Sequence, residues 1–400
     1  MTMNATPSGN RTHIGIFGRR NAGKSSLINA LTGQNLAIVS DVKGTTTDPV
    51  SKAMELLPLG PVVMIDTPGL DDEGELGEMR VRKGLQVLRK ADIALLVVDS
   101  AEGIKDTDRM LIDRVRTMNI PYLVVYNKCD EADCDVEDER HSICVSALTG
   151  KGIHELKERI AHLKPDGNGR KLLADLIAPG DVVVLVTPID ESAPKGRIIL
   201  PQQQAIRDIL DTHAMAVVCQ ETELRETLAK LAVKPRMVVT DSQVFAAAAK
   251  DTPADVPLTS FSILMARYKG DLETLIKGAA VLKQLKNGDK VLICEGCTHH
   301  RQCNDIGTVK IPGWIRQFSG AEPSFAFTSG GDFPEDLSGF RLAVHCGGCT
   351  LNEAAMKQRM LKAARAGVPL VNYGIAIAQM HGILSRSLQL FPEVQKLLED

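Results

Sequence analysis

A phosphate-binding loop near the start of the chain is the clearest chemical signal in the sequence. Residues 18–25 match the pattern G-x-x-x-x-G-K-[ST], between an apolar run at 14–17 that predicts a strand and another at 27–31 that predicts a helix. In such a loop backbone N–H groups surround a phosphate, the Lys24 ammonium reaches the β- and γ-phosphates, and the Ser25 hydroxyl binds Mg²⁺. The predicted nucleotide-binding residues of the loop are Gly18, Asn21, Ala22, Gly23, Lys24, Ser25 and Ser26.

Two further motifs could reach the same γ-phosphate and its Mg²⁺. A threonine-rich loop at 43–48 places Thr45 and Thr46 at a distance typical of a switch loop, although a surface turn has a similar composition. A buried strand predicted at 62–65 ends in Asp66, which could hold Mg²⁺ through water. The backbone amide of Gly69 could then meet the γ-phosphate.

The next two motifs indicate that the base is guanine. An apolar run at 122–126 ends in the motif N-K-C-D, in which Asp130 can accept both guanine N–H donors and Asn127 and Lys128 complete the pattern. Ser146 and Ala147 can place a backbone amide on the guanine oxygen. Because each apolar run ends at a polar motif, we expect a doubly wound parallel sheet with its ligand at the carboxyl ends of the strands. The sequence thus predicts a P-loop GTPase domain over residues 10–168.

This domain resembles the translation-factor-related GTPases of the TrmE–Era–EngA branch. The resemblance rests on Asn21, the G-T-T-T-D loop at 44–48, the D-T-P-G motif at 66–69 and the N-K-C-D motif at 127–130. It implies that Lys24, Asn21 and Thr46 are catalytic, with Thr46 on Mg²⁺ and Asn21 helping to hold K⁺ against the phosphates. Leu70 occupies the position of the Ras-like glutamine, so slow hydrolysis that K⁺ or a partner stimulates is expected.

The middle of the chain alternates predicted strands and helices over residues 169–265. Strands are predicted at 181–186, 214–219, 237–239 and 256–258, and helices at 202–210, 221–231 and 242–250. This pattern predicts a second, small parallel α/β sheet. Cys219 is expected in its core, and Asp241 is expected to cap a helix. Since no catalytic set of residues stands out, we expect a scaffold or dimerisation domain whose sheet edges pair in a homodimer.

Thiols follow two predicted strands in the last domain, over residues 266–400. Cys294, Cys297 and Cys303 follow the strand at 290–293, whereas Cys346 and Cys349 follow the strand at 342–344 with C-x-x-C spacing. A T-x-x-E pattern at 350–353 is typical of a capping box that opens a helix. Spacing alone leaves three possibilities open: zinc with four closed ligands, an iron–sulfur cluster with three thiolates and an open fourth site, and, less favoured, a thioredoxin-like redox pair. Two histidines beside these thiols are candidate ligands, His299 and His345.

Taken together, the three regions resemble the HydF family of [FeFe]-hydrogenase maturation GTPases. The resemblance adds the pattern C-x-H at 297–299 and H-C-x-x-C at 345–349 to the GTPase motifs, and it extends over nearly the full length. It implies a [4Fe-4S] cluster on Cys297, Cys346 and Cys349, with a labile fourth iron position for which His299 and His345 are candidates. It also implies a carrier that receives a transient di-iron precursor from radical-SAM maturases and delivers it to apo-[FeFe]-hydrogenase.

Composition and charge bear on the alternatives. Lys+Arg 47 against Asp+Glu 50 gives a net charge of −3, which provides no electrostatic footprint for nucleic acid. This speaks against the main alternative, an RNA- or ribosome-associated GTPase with a zinc-binding C-terminal domain. A free-standing redox enzyme would need a substrate pocket that the sequence does not identify. Without a long apolar run or a hydrophobic N-terminal segment, a cytoplasmic protein with no membrane partner is expected, in which the nine cysteines stay reduced.

Overall fold

The computed structural model describes most of the chain in two compact units. The described residues are 8–33, 49–69, 83–132, 134, 136, 138–163, 171–189, 198–296, 305–330, 332–348 and 350–398. The first unit comprises residues 1–169 and the second residues 170–400. In the described part of the chain, no helix combines the length and the apolar character needed to cross a membrane.

The first unit is built on a six-stranded sheet with the order β2-β3-β1-β4-β5-β6. Its strands are β1 (Thr12–Gly18), β2 (Val50–Leu56), β3 (Gly60–Asp66), β4 (Ile93–Asp99), β5 (Tyr122–Asn127) and β6 (Ser142–Cys144). Its helices are α1 (Lys24–Thr32), α2 (Asp106–Thr117) and α3 (Ile153–Leu163), and residues 83–88 are also helical. Five strands run parallel, but β2 is an antiparallel edge strand that the sequence did not predict.

Both faces of this sheet are buried, which explains why its central strands are continuous apolar runs. Side chains alternate between the two faces. On β4, for example, Leu95 and Val97 pack into one hydrophobic cluster, whereas Leu96 and Val98 pack into the cluster on the other face. The carboxyl ends of β1 and β4 lie side by side where the strand order reverses, and this is the point at which doubly wound sheets bind ligands.

The second unit contains two four-stranded sheets in which every pair is parallel. The first has the order β10-β9-β7-β8 and comprises β7 (Val182–Val186), β8 (Met215–Cys219), β9 (Met237–Thr240) and β10 (Leu258–Ser260). The second has the order β12-β11-β13-β14 and comprises β11 (Lys290–Cys294), β12 (Ser324–Thr328), β13 (Leu342–His345) and β14 (Leu370–Asn372). Its helices are α4 (Leu200–Asp211), α5 (Leu224–Lys230), α6 (Phe245–Asp251), α7 (Phe261–Lys269), α8 (Leu272–Ala280), α9 (Ile311–Ser319), α10 (Glu353–Arg365), α11 (Tyr373–Met380), α12 (Leu384–Ser387) and α13 (Pro392–Gln395).

These two sheets share one hydrophobic core. A single cluster contains Val183 and Leu185 from β7 together with Leu292 from β11 and Val344 from β13. The middle and C-terminal regions that the sequence treats as separate domains are therefore packed as one compact unit. In the third sheet the strand order reverses between β11 and β13, so the crevice at that point is bordered by the residues that follow these two strands.

Local predictions in this unit can be compared with the structure. Cys219 is buried in the core, and the Asp241 side chain accepts a hydrogen bond from a backbone N–H two residues on; both predictions are confirmed. The capping box predicted at 350–353 is wrong. The residue that caps α10 is Asn352, whose side chain accepts from the Ala355 N–H, whereas the Thr350 hydroxyl donates to the Gly296 carbonyl.

Candidate functional site

Two glycines give the phosphate-binding loop its shape. Gly18 has φ 144°, and a Cβ there would lie 2.2 Å from the Val97 carbonyl oxygen. Gly23 has φ 86°, and a Cβ there would lie 2.2 Å from Asn127 Nδ2. Any other residue at either position would combine an unfavourable φ with a steric clash. The loop can therefore pass close to β4 and to the N-K-C-D motif only because both positions are glycine.

The cationic and hydroxyl groups predicted to bind phosphate and Mg²⁺ converge at the end of β1. Lys24 Nζ donates to the carbonyls of Gly18 at 3.0 Å and Arg19 at 2.7 Å, and Ser25 Oγ donates to Asp66 Oδ2 at 2.9 Å. The other carboxylate oxygen, Asp66 Oδ1, is buried and has no hydrogen-bond partner among the described residues. Burial raises the pKa of Asp66, against the opposing effects of Ser25 and Lys24. An orphaned carboxylate oxygen beside a hydroxyl fits a hydrated Mg²⁺ ion.

Asn127 joins the phosphate-binding loop to the two guanine motifs. Its Nδ2 donates to the Ala22 carbonyl at 3.0 Å, and its Oδ1 accepts from the Ala147 N–H at 3.0 Å. Its own carbonyl accepts from Ser100 Oγ at 2.7 Å. One side chain therefore fixes the spacing between the loop that would hold the phosphates and the loop that would hold the base.

A cavity of about 520 Å³ opens beside this junction. Its lining includes Gly23, Ser26, Asn29, Ala30, Gly33, Asn127, Lys128, Asp130, Glu131, Ala147 and Leu148. Lys128 has φ 66°, and its Nζ donates to Asp99 Oδ2 at 2.6 Å. This contact holds the Lys128 side chain at the lining of the cavity. Ser146 is fully buried and its Oγ accepts from the Thr149 N–H, which shapes the loop ending at Ala147. The cavity is a concave pocket whose lining includes the carboxylate of Asp130, the group predicted to accept the guanine N–H donors.

Arg19 ties the phosphate-binding loop to a charged loop after β4, a feature that the sequence analysis missed. The buried guanidinium donates from Nε to Asp108 Oδ2 at 3.0 Å, from Nη1 to Glu102, and from Nη2 to the Gly103 carbonyl at 2.8 Å. Burial lowers the pKa of Arg19, but Glu102 and Asp108 raise it by more than burial lowers it, so the net shift of the pKa is upward. The partners Lys105 and Arg19 hold the pKa of Glu102 at about 2. No local sequence pattern links residues 83 or more positions apart.

Several predicted site residues lie outside the described residues. They are Thr45, Thr46, Leu70, Cys297, His299 and Cys349. Their predicted roles in hydrolysis, Mg²⁺ binding and cluster binding remain predictions. Gly69 is the last described residue of its loop. Among the described residues, no three His, Cys, Asp or Glu side chains lie close enough to hold a metal ion.

In the second unit, two cysteines lie at the crevice between β11 and β13. Cys346 donates its backbone N–H to the Cys294 carbonyl at 2.8 Å. The Cys346 Sγ accepts N–H groups from Gly296 at 3.0 Å and Gly348 at 3.4 Å. Hydrogen bonds to sulfur favour the thiolate, which is the form that binds metals. Cys294 is fully buried, and burial raises its pKa to about 12. The thiol suited to a metal is therefore Cys346.

His345, a candidate metal ligand, makes two hydrogen bonds in the structure. Its Nε2 faces Arg359 Nη1 at 2.8 Å, and its Nδ1 faces the Cys346 carbonyl at 2.7 Å. Because a guanidinium only donates, Nε2 must accept and Nδ1 must carry the proton. Burial, and then the charge of Arg359, lower the pKa of His345 to about 4. Both ring nitrogens are engaged in this arrangement, in which His345 bridges Arg359 to the thiol loop. A role of His345 as a metal ligand remains a prediction.

Helix α7 contacts two loops of the same thiol site. At its start the Ser262 carbonyl accepts from Nδ2 of Asn372, the last residue of β14, at 3.0 Å. At its end Lys269, only 2% exposed, donates from Nζ to the Leu351 carbonyl at 2.8 Å and the Gly348 carbonyl at 3.4 Å. The loop that carries Cys346 is thus held by the lysine at the end of α7. The sequence analysis did not identify this lysine.

A tyrosine hydroxyl also belongs to the surroundings of the thiols. Tyr373 Oη is buried and has no hydrogen-bond partner among the described residues. Burial, and then the charges of Cys346 and Glu295, raise the pKa of Tyr373. A Cβ on Gly307 would lie 2.5 Å from Tyr373 Oη and 2.4 Å from Glu295 Oε1, so only glycine leaves room for both groups.

Comparison with known protein families decides the assignment of the chain. Residues 172–270 match the family model of the hydrogen maturase F dimerization domain, and residues 273–390 match that of the hydrogen maturase F tetramerization domain. Together these two matches cover more than half of the chain. The chain belongs to the hydrogen maturase F family. The family resemblance inferred from the sequence is thereby confirmed, and the dimerization and tetramerization domains of this family support oligomerisation.

The first unit is a P-loop GTPase domain, since residues 13–128 match the family model described as 50S ribosome-binding GTPase. The tRNA modification GTPase MnmE of Legionella pneumophila (strain Paris) is 40% identical over 149 residues, which is 36% of this chain and 33% of that protein. MnmE of Thermotoga petrophila is 37% identical over 156 residues, 36% of this chain and 34% of that protein. The chain spans about a third of the length of the curated relatives that it matches.

Solved structures of GTPases are also similar to part of the chain. Aquifex aeolicus Era bound to GDP.AlF4- is 22% identical and covers 52% of this chain and 91% of that chain, with a TM-score of 0.34. The G domain of T. maritima FeoB is 25% identical and covers 39% of this chain and 100% of that chain, with a TM-score of 0.30.

Proposed function

We propose that this protein is a GTP-hydrolysing carrier in [FeFe]-hydrogenase maturation. In this role it holds a [4Fe-4S] cluster and delivers a di-iron precursor to apo-hydrogenase. The observation that carries the proposal is the hydrogen-bonded Cys346 sulfur at the crevice of the third sheet, in a chain whose first unit is a GTPase domain. The precursor would come from radical-SAM maturases, and the GTP state would govern the exchange of partners.

At the thiol site, Cys346 would bind iron together with Cys297 and Cys349. Hydrogen-bonded sulfur fits an iron–sulfur cluster, because donors to the sulfurs are a usual means of tuning such clusters. When bound, the cluster would supply one exchangeable iron position. The chain's own residues would orient the Cys346 loop through Lys269 and His345, and would exclude water through the buried strand ends.

In the GTPase domain, Lys24 would stabilise negative charge on the β- and γ-phosphates, and Ser25 with Thr46 would bind Mg²⁺. Asp66 would hold a Mg²⁺-bound water through its orphaned oxygen. Asn21 would help to hold K⁺ against the phosphates. With Leu70 in place of a glutamine that orients water, hydrolysis would be slow and stimulated by K⁺. Equal rates in Na⁺ and K⁺ would exclude the potassium role.

The edge strand β8 is the surface that we assign to homodimer formation. It lies at the end of its sheet, and Met215 and Val218 on it are exposed. Two such edges could pair across a two-fold axis. Met215→Lys with Val218→Lys should reduce the mass in solution to that of a smaller assembly, as measured by sedimentation. Leu210→Lys, an exposed position on α4, is the control; an equal effect in the control would exclude β8 as the interface.

Anaerobic purification with iron, sulfide and zinc analysis tests the cluster. We expect iron and sulfide and, after reduction, an EPR signal that Cys346→Ser abolishes or alters while GTP turnover remains. Cys219→Ser, in the core away from the thiol crevice, should leave the metal content unchanged. Zinc near one per chain without iron would instead favour the alternative, an RNA- or ribosome-associated GTPase with a zinc-binding C-terminal domain.

A variant of the phosphate-binding loop tests whether GTP hydrolysis can be removed without loss of the cluster. Lys24→Ala should abolish GTP turnover while the iron content stays intact.

Delivery itself is measured by incubating the loaded protein with apo-hydrogenase and assaying hydrogen production. If protein carrying the precursor cannot activate apo-hydrogenase under any nucleotide condition, the carrier role is excluded.

A further inference from the structure

A buried guanidinium lies next to the thiol crevice. Arg359, on α10, is 6% exposed. Besides its contact with His345, its Nη2 donates to the Gly330 carbonyl at 2.6 Å, and its guanidinium carbon lies 5.2 Å from the centre of the Phe333 ring. The imidazole, the carbonyl and the aromatic ring are all electrically neutral partners.

Arg359 differs in this respect from the lysines on the same helix. Lys357 and Lys362 each pair with a glutamate at the surface. Within the part of the chain that the structure describes, no carboxylate forms an ion pair with Arg359. Asp332 acts on it electrostatically but is exposed, so water screens its charge. A buried cation with only neutral partners is costly unless an anion lies nearby.

The group that can provide this anion is the Cys346 thiol, because burial raises the pKa of Cys294 and favours its neutral form. Burial lowers the pKa of Arg359, and the thiols of Cys294 and Cys346 act in the opposite direction. His345 connects the guanidinium directly to the backbone of Cys346. Because the Cys346 sulfur accepts two backbone N–H groups, it is prepared to carry negative charge. A metal bound by three thiolates is an anionic group, and reduction adds a further negative charge to it.

We propose that Arg359 is the counter-cation of an anionic metal–thiolate group at the Cys346 loop, and that its charge stabilises the reduced form of that group. The redox part of this inference rests on the proposed function, because it needs an iron–sulfur cluster. The charge compensation does not, because any thiolate-bound metal would benefit from it. The neutral His345 between them keeps the guanidinium close without making it a ligand.

Two substitutions separate the charge of Arg359 from its hydrogen bonds. Arg359→Gln removes the charge but keeps an N–H donor for His345, whereas Arg359→Lys keeps the charge. Arg365→Gln, at an exposed position on the same helix, is the matched control. In the full-length protein reconstituted with iron and sulfide, Arg359→Gln should lower the reduced-to-oxidised ratio about tenfold at a given potential, a shift of about 59 mV to more negative values. Arg359→Lys and Arg365→Gln should stay close to the unmutated protein.

A second measurement does not depend on iron. Zinc affinity of the metal-free protein, measured by competition with a chelator, should fall about tenfold in Arg359→Gln and remain nearly unchanged in Arg359→Lys. If the unmutated protein contains no iron or sulfide, the proposed function fails, whereas this zinc measurement still decides the role of Arg359. Circular dichroism checks that each variant folds. If Arg359→Gln does not fold, the test rests on Arg359→Lys, which must retain the zinc affinity of the unmutated protein. Unchanged values in Arg359→Gln, or a tenfold loss in Arg359→Lys, would overturn the proposal.

Discussion

Replacing Arg19 by methionine should lower the free energy of unfolding of the first unit, although Arg19 is predicted to contact neither the base nor Mg²⁺. Methionine keeps most of the length and the apolar character of the arginine stem but removes all three of its hydrogen bonds. Asp108, only 4% exposed, would then lose its cationic partner and keep the backbone N–H of Lys105 at 3.0 Å. The phosphate-binding loop would lose its attachment to the loop after β4.

The magnitude follows from the burial of the two carboxylates. Removing one partner of a buried ion pair costs about 3–5 kcal/mol, whereas an exposed pair contributes about 0–1 kcal/mol. Asp108 keeps one hydrogen bond and Glu102 is partly exposed, so we expect a loss of about 2–4 kcal/mol in the free energy of unfolding of the first unit. For a unit of this size, such a loss lowers Tm by about 6–12 °C.

Calorimetry of the full chain with and without GDP measures this effect. The transition of the second unit should not move, and the affinity for a fluorescent GDP analogue should fall, because the Arg19 carbonyl helps to hold the Lys24 ammonium. Arg20→Met, at the exposed neighbouring position, is the control. If Arg19→Met and Arg20→Met unfold within about 0.5 kcal/mol of each other, the buried ion pairs do not stabilise the loop and the reasoning is refuted.

Three other perturbations have defined outcomes. Gly23→Ala should reduce GDP affinity at least about tenfold in equilibrium titration, because the new Cβ would meet Asn127 Nδ2 at 2.2 Å with φ 86°. The lowered pKa of Glu102, about 2 against an ordinary 4.5, means that its ion pairs stabilise the first unit above about pH 4.5 and that this stability is lost as the pH falls toward 2. Urea unfolding of Glu102→Gln should therefore depend less on pH in that window than that of the unmutated protein. Lys269→Met should change the EPR spectrum of the reconstituted protein, whereas Lys277→Met, on the surface of α8, should not.

Features coded by short sequence patterns were predictable. The strand, glycine turn and helix at 14–31 follow from apolar periodicity and from glycines that have no substitute. Six of the eight strands of the second unit were predicted within a few residues, and the central ones are continuous apolar runs because parallel strands are buried on both faces. The partly exposed β12 and the three-residue β14 were not predicted. The exposed edge strand β2, by contrast, was missed, since its mixed polar and apolar residues give no such run.

Features that depend on tertiary contacts were not predictable. The partners of Arg19 lie 83 to 89 residues away, and no pattern near Arg19 in the sequence predicts them. The T-x-x-E pattern predicted the wrong cap because the Thr350 hydroxyl bonds the carbonyl of Gly296, 54 residues earlier, and leaves the cap to Asn352. His345 lies next to Cys346 in the sequence, but the buried Arg359 that donates to its Nε2 is 14 residues away, and no sequence pattern predicts this contact.

The position of helix α7 has a consequence for experiments on fragments. The two family models meet between residues 270 and 273, yet Ser262 and Lys269 hold loops of the thiol crevice from the earlier side of that point. A protein cut there would separate one continuous core and release the attachments of α7 to the Cys346 loop and to the end of β14. The sheet that carries the thiols is therefore not an autonomous module, and the proposed metal site should be tested in a protein that contains the whole of residues 170–400.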